Sequence, residues 1–248
     1  MRLRNAVLVM AVLLAALPAG AAKKAGGYDL FIEGCHLNLP IPDVKGWLAL
    51  TPDGRVFGAA LIQKQFPTEY DELKNQCVAV KGIPLDLEAE NKGGHSVHDN
   101  ETPLTPLVRG PGLRAGKVRM ARADSVYFPG HEKILEIPEY RGEIPISLGQ
   151  KRYLLTLRTR QFEDYQLVLK DLQAKREQVI YQPEWLDMES DRFRLYWAGD
   201  LDRDGKLDLI LNATHKYSHA FNVRLFLSGK AAKGQLVKEV ATRLITGV

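Results

Sequence analysis

Apolar and polar side chains alternate with a period of two along most of this chain, the spacing that turns one face of a strand toward a core. Residues 46–51, a Pro52-Asp53-Gly54 turn and residues 55–62 read as a β-hairpin. Strands are also predicted over 76–81, 117–121, 125–128, 133–137 and 151–159, with a short helical turn over 68–75. The stretch 88–116 is polar and rich in Gly and Pro, so it reads as a long loop or linker. Phe162, Tyr165, Leu169 and Leu172 have helical spacing, whereas Tyr165, Leu167 and Leu169 alternate; the β character of the neighbours favours a strand. The predicted class is mainly β, with antiparallel sheets in a sandwich-like arrangement. From about Ile144 onward a small antiparallel domain carries a strand-loop-strand motif near the C-terminus.

Alternation fails at the start. Arg2 and Arg4 precede an apolar run from Ala6 to Leu17, and Ala19-Gly20-Ala21 supplies small residues ahead of Lys23-Lys24, the pattern of a secretory signal peptide over 1–22. The run is short for a bilayer span, so the expected mature chain is periplasmic or secreted and has no membrane span. A lipid anchor at Cys35 is disfavoured by Glu33 and by the distance from the apolar run. Two regions are expected to follow: 23–115, mainly β and ending in the polar loop, and 116–248, a β domain. Export frames Cys35 and Cys77, because two cysteines in an oxidising compartment suggest one disulfide. Without Arg2 and Arg4 the formal charge falls from +4 to +2, a weak balance that argues against nucleic acid as a partner.

The chemistry concentrates in one stretch. Asp200, Asp202, Asp204 and Asp208 stand at positions 1, 3, 5 and 9 of a loop with Gly205 at position 6. Hard oxygen ligands at that density, with glycine where the chain must turn, suit Ca²⁺. Asp and Gly also favour plain solvated turns, but that preference does not require this spacing. An EF-hand would need a bidentate Glu at position 12, where Leu211 stands. Before the loop Phe193, Leu195 and Trp197 alternate with Arg192, Arg194 and Tyr196, and after it Leu207, Leu209 and Leu211 alternate with Asp208, Ile210 and Asn212, so strands flank it. The expected ligands are Asp200, Asp202, Asp204, the Lys206 carbonyl and Asp208.

This loop resembles the calcium loop of the FG-GAP and VCBS class of repeats, in which Asp-x-Asp-x-Asp-Gly-x-x-Asp joins two strands. The resemblance implies that Asp208 closes the coordination shell. Arg203 stands where many such loops have Gly or Asn, and the motif occurs once in the chain. Together with 222–228 and 234–240, the segment 197–211 also resembles the C-terminal part of a group of uncharacterised exported bacterial proteins, over about the last fifty residues. That group implies no activity.

Other candidates are weaker. His95 and His98, near Asp99 and Glu101, have a spacing that serves a zinc ion or a general base, although loop histidines are usually plain surface residues. His215 and His219 suit a hairpin tip, and His36 and His131 have no partner in sequence. No Gly-x-Ser-x-Gly elbow, phosphate loop or His-Glu-x-x-His is present. Trp47, Trp185 and Trp197 are expected in the core before a carbohydrate site. The expected function is a calcium-binding, non-catalytic binding or structural protein of the cell envelope with an envelope ligand or protein as partner. The alternative is an envelope hydrolase with structural calcium and catalytic groups in the loop around His95 and His98.

Overall fold

The computed structural model describes residues 23–24, 27–32, 34–37, 46–51, 53–58, 61–66, 75–80, 105–125, 127–128, 141–159, 165–182, 192–214 and 220–246. These form a mainly β, antiparallel fold. A six-stranded sheet runs in the order β1 (Lys23–Lys24), β19 (Lys238–Thr246), β18 (Ala220–Leu227), β17 (Asp208–Thr214), β16 (Arg192–Asp200) and β10 (Arg119–Met120). A second sheet runs β11 (Arg122–Ala123), β12 (Arg141–Leu148), β13 (Lys151–Thr159), β14 (Tyr165–Asp171) and β15 (Arg176–Tyr181). A third runs β2 (Asp29–Ile32), β8 (Pro106–Arg109), β4 (Leu48–Leu50), β5 (Arg55–Gly58) and β9 (Gly116–Lys117). A small sheet joins β3 (Gly34–Leu37), β7 (Asn75–Val80) and β6 (Leu61–Phe66).

The six-stranded sheet is a middle layer with a core on each face. On one face Leu209, Leu211 and Phe226 pack with Ile144, Leu155 and Leu169 of the second sheet. On the other, Ile210, Val223 and Leu225 pack with Leu30, Leu50 and Val108 of the third. A strand buried on both sides needs apolar residues at consecutive positions. Leu209-Ile210-Leu211, at most 2% exposed, is such a run. Asp29 ties the third sheet to the middle one: its buried carboxylate lies 2.9 Å from the Arg109 guanidinium and 3.6 Å from that of Arg243 on β19. The two arginines lie over Trp47 and Phe31 respectively.

Several expectations are met and several corrected. The turn at Gly54, with φ +80°, links β4 to β5 as a hairpin. The predicted 55–62 strand is instead two strands in different sheets, β5 ending at Gly58 and β6 starting at Leu61. Pro106–Arg109, inside the predicted loop, is an inner strand between β2 and β4. Pro is tolerated there as the first strand residue, and Leu107 and Val108 have no solvent exposure. Tyr165–Asp171 is a strand, as its alternation favours. Within β16 a register shift between Leu195 and Trp197 inserts Tyr196, and one extra residue turns all later side chains to the opposite face. Phe193 and Leu195 therefore face the second sheet, while Trp197 packs against the third. The helical turn predicted over 68–75 lies outside the described residues except for Asn75, which opens β7; the predicted strand over 133–137 and the segment 1–22 also lie outside them. Among the described residues no helix is long and apolar enough to cross a membrane.

Because each face of β17 has its own core, Leu209→Ala and Ile210→Ala should each destabilise the chain by about 2–5 kcal/mol in urea unfolding. A loss below about 1 kcal/mol for either one, within the range of a surface substitution, would contradict a middle layer buried on both sides.

Candidate metal centre

Asp200 ends β16 and Asp208 opens β17, so the acidic loop is the hairpin connection between two inner strands of the middle sheet. Its backbone is unusual at two places. Gly205 has φ +79° and Arg203 has φ +63°, the left-handed region that an L side chain rarely enters. That conformation gives a physical reason for Gly or Asn at the Arg203 position of similar loops. Here the Arg203 guanidinium reaches out of the loop and donates to the carbonyls of Arg114 and Ala115, at 3.2 and 3.0 Å. The turn is further held by Lys151 of β13, whose ammonium donates to the Gly205 carbonyl at 2.6 Å.

Inside the turn the carboxylates organise the backbone. Asp204 N–H donates to Asp202 Oδ1 at 3.2 Å, Gly205 N–H to Asp200 Oδ1 at 3.1 Å and Lys206 N–H to Asp204 Oδ1 at 2.8 Å. These are the local bonds for which Asp is selected in turns. Asp208 is the hub. Its Oδ2 accepts from the amides of Leu201 and Asp202 at 2.7 and 3.1 Å, and its Oδ1 from the amide of Ser228 at 2.7 Å. Ser228 opens a 3-10 turn, Ser228–Lys230, directly after β18. Its hydroxyl oxygen lies 2.9 Å from both Asp208 Oδ1 and Asp204 Oδ1; with one proton it donates to one of them at a time. Gly229 N–H donates to Asp202 Oδ2 at 3.0 Å, and a Cβ at Gly229 would collide with that carboxylate.

The result is a group of three. Asp200, Asp202 and Asp208 each bring a carboxylate oxygen within 4.8 Å of the others, and this group can hold a metal ion. Asp208 is 0% exposed and Asp200 8%. Among the described residues no Lys, Arg or His forms an ion pair with any of the three; Asp204 has Lys206 at 3.3 Å. Three carboxylates offer about twelve lone-pair sites. Their hydrogen bonds to the described residues number seven, which leaves acceptor capacity for an ion. The crowding is visible in their acidity. Burial, then the charge of Asp202, pushes Asp208 up to about 7. Burial and the charges of Asp204 and Asp200 also raise Asp202.

Of the residues expected as ligands, Asp200, Asp202 and Asp208 are brought together. Asp204 lies outside the trio, bonded to Ser228 and paired with Lys206, whose side chain is exposed. Ser228, Gly229 and Lys151 are additions that reading the loop alone does not find. The faint signal is the Ser228-Gly229 pair closing the alternating run 222–227. Trp47 and Trp197 are core residues, 1% and 4% exposed. His95, His98, His131, His215, His219 and Trp185 lie outside the described residues, and His36 falls on β3. The β3–β7 register sets Cys35 directly opposite Cys77. Comparison with protein-family models, curated proteins and solved structures found no match.

The raised acidity constant has a consequence with a definite sign. Asp208 titrates near 7 when folded, against 3.8 as the ordinary value. The folded chain therefore keeps a proton that the unfolded chain releases, and stability falls as pH rises from about 4 to 7, by on the order of 4 kcal/mol. In chelator the urea midpoint should be lower at pH 8 than at pH 5 relative to Asp208→Asn, which has no such proton. Identical pH dependence in both proteins would sink this account of Asp208.

Proposed function

We propose that the chain is an exported calcium-binding protein of the bacterial cell envelope, in which the ion is structural and the protein acts by binding rather than by catalysis. The observation that carries this reading is the trio itself: three carboxylate oxygens within 4.8 Å, one carboxylate fully buried, and no cationic side chain paired to them among the described residues. Like charges at that separation repel, and buried charge is costly unless compensated. A divalent cation supplies the compensation. The loop's donor set is oxygen only, with no Cys or His from Asp200 to Asp208, which favours a hard ion over zinc or copper. Calcium suits an irregular loop better than magnesium, which demands near-ideal octahedral geometry.

The place of the loop supports a structural role. An ion there would hold together the ends of β16 and β17 and, through Ser228 and Gly229, the turn after β18. Export rests on the signal-like segment 1–22 and suits a disulfide between Cys35 and Cys77. Residues opposed in an antiparallel pair have Cα atoms about 4.5–5.5 Å apart, inside the range a disulfide spans. The partner proposed is an envelope ligand or protein, not nucleic acid.

Calorimetric titration of the chain with calcium should show saturable binding. At a hundredfold excess over Kd the ion adds about 2.7 kcal/mol, which for a chain of this size raises Tm by roughly 5–10 °C over chelator. Asp208→Asn should lose both effects. No binding heat together with coincident melting curves would refute the calcium reading. Separately, a peptide map of unreduced protein should recover Cys35 and Cys77 in one linked species; two free thiols would exclude the bond.

A further inference from the structure

A cleft of about 270 Å³ opens beside the acidic loop, between the second sheet and the segment 231–236. Its walls include Tyr153 of β13, Asp171 and Arg176 at the turn joining β14 to β15, Lys206 of the loop, Ser228 and Lys233. The cleft is held open by the fold. Gln178 of β15 accepts from the amides of Leu236 and Val237 at 2.6 and 3.1 Å and donates to the Val237 carbonyl at 2.9 Å, so it docks the segment on the strand. Gln235 N–H donates to Ala232 O at 2.9 Å and Ala232 N–H to Gln235 Oε1 at 3.1 Å, closing the segment on itself.

Among the described residues, three cations and one acid line this space. Arg176, Lys206 and Lys233 come from three separate parts of the chain. Among the described residues neither Arg176 nor Lys233 has an ion-pair partner, while Lys206 has only its exposed contact with Asp204. Among the described residues the wall holds one acid, Asp171, whose Oδ1 accepts from the amides of Gln173 and Ala174 at 3.0 and 2.8 Å, and the Asp204 carboxylate stands behind Ser228. Three cations around a preformed cleft invite an oxyanion, and a guanidinium offers it two parallel donors. The volume lies just under the range of drug-sized sites, which limits the ligand to about one sugar ring or less.

We propose that this cleft binds a small oxyanion, a carboxylate or a tetrahedral phosphate-like group, gripped by Arg176 and Lys233 with Lys206 at its edge. This goes beyond the cation reading and does not depend on it, because Arg176 and Lys233 lie outside the acidic loop.

The test is titration of the isotope-labelled full chain with sulfate and, separately, with D-glucuronate, at constant ionic strength, followed by amide chemical shifts. The expected result is saturable shifts at Lys233 and Gly234 for at least one probe, with affinity falling roughly tenfold in Arg176→Gln and in Lys233→Gln, equivalent to about 1.4 kcal/mol each. Lys117→Gln, an exposed cation on the third sheet, should leave affinity unchanged. Stronger binding of sulfate would identify the tetrahedral class, and of glucuronate the sugar carboxylate. Absence of saturation with both probes, or equal weakening by Lys117→Gln, would overturn the proposal. Calorimetric calcium affinity, measured on the same variants, should be unaltered, so failure of the cleft and failure of the metal centre are separately visible.

Discussion

A carboxylate sealed from water must be matched by donors or by a cation, and among the described residues Asp208 is the acid where that demand is greatest. It sits at the start of an inner strand with no exposed surface, among two further carboxylates. The protein answers first with backbone. Amides from Leu201 and Asp202 on one side and Ser228 on the other converge on the two oxygens, so a single side chain fastens the loop before β17 to the turn after β18. These bonds set the positions of the carboxylates but do not cancel the repulsion among them. What remains is a trio of carboxylates that could hold a metal ion.

The location of this site matters because of the sheet that carries it. The middle sheet has cores on both faces, and β17, which begins at Asp208, contributes to both. Around the loop, Lys151 comes from the second sheet, and Arg203 reaches the Arg114–Ala115 carbonyls just before β9 of the third. The loop therefore touches all three layers. An ion held by the trio would act on the place where they meet, which is the stabilising role proposed above and requires no chemistry from the metal.

Much of this was legible in the sequence because it follows local rules. Alternation marks the strands of the second half, and Asp-Gly spacing marks the loop with its flanks. Two kinds of information were not local. The phase of β16 depends on the extra Tyr196, which is visible only in its pairing with β17, so Trp197 changes sides without any signal in its own neighbourhood. Pro106–Arg109 is too short for periodicity to register between Gly- and Pro-rich segments; its burial comes from β2 and β4, distant in sequence. Likewise Ser228 and Gly229 join the site through a hairpin that brings β18 beside β17. Asp204 matches the ligand spacing yet lies outside the trio, with Lys206 and Ser228 as its partners.

The central claim is that a cation belongs among Asp200, Asp202 and Asp208. The most direct measurement is a crystal structure grown with calcium, with anomalous differences collected at long wavelength. The account predicts a calcium peak about 2.3–2.6 Å from an oxygen of each of the three residues. Density showing those carboxylates bonded only to amides and water, with no anomalous peak between them, would contradict it.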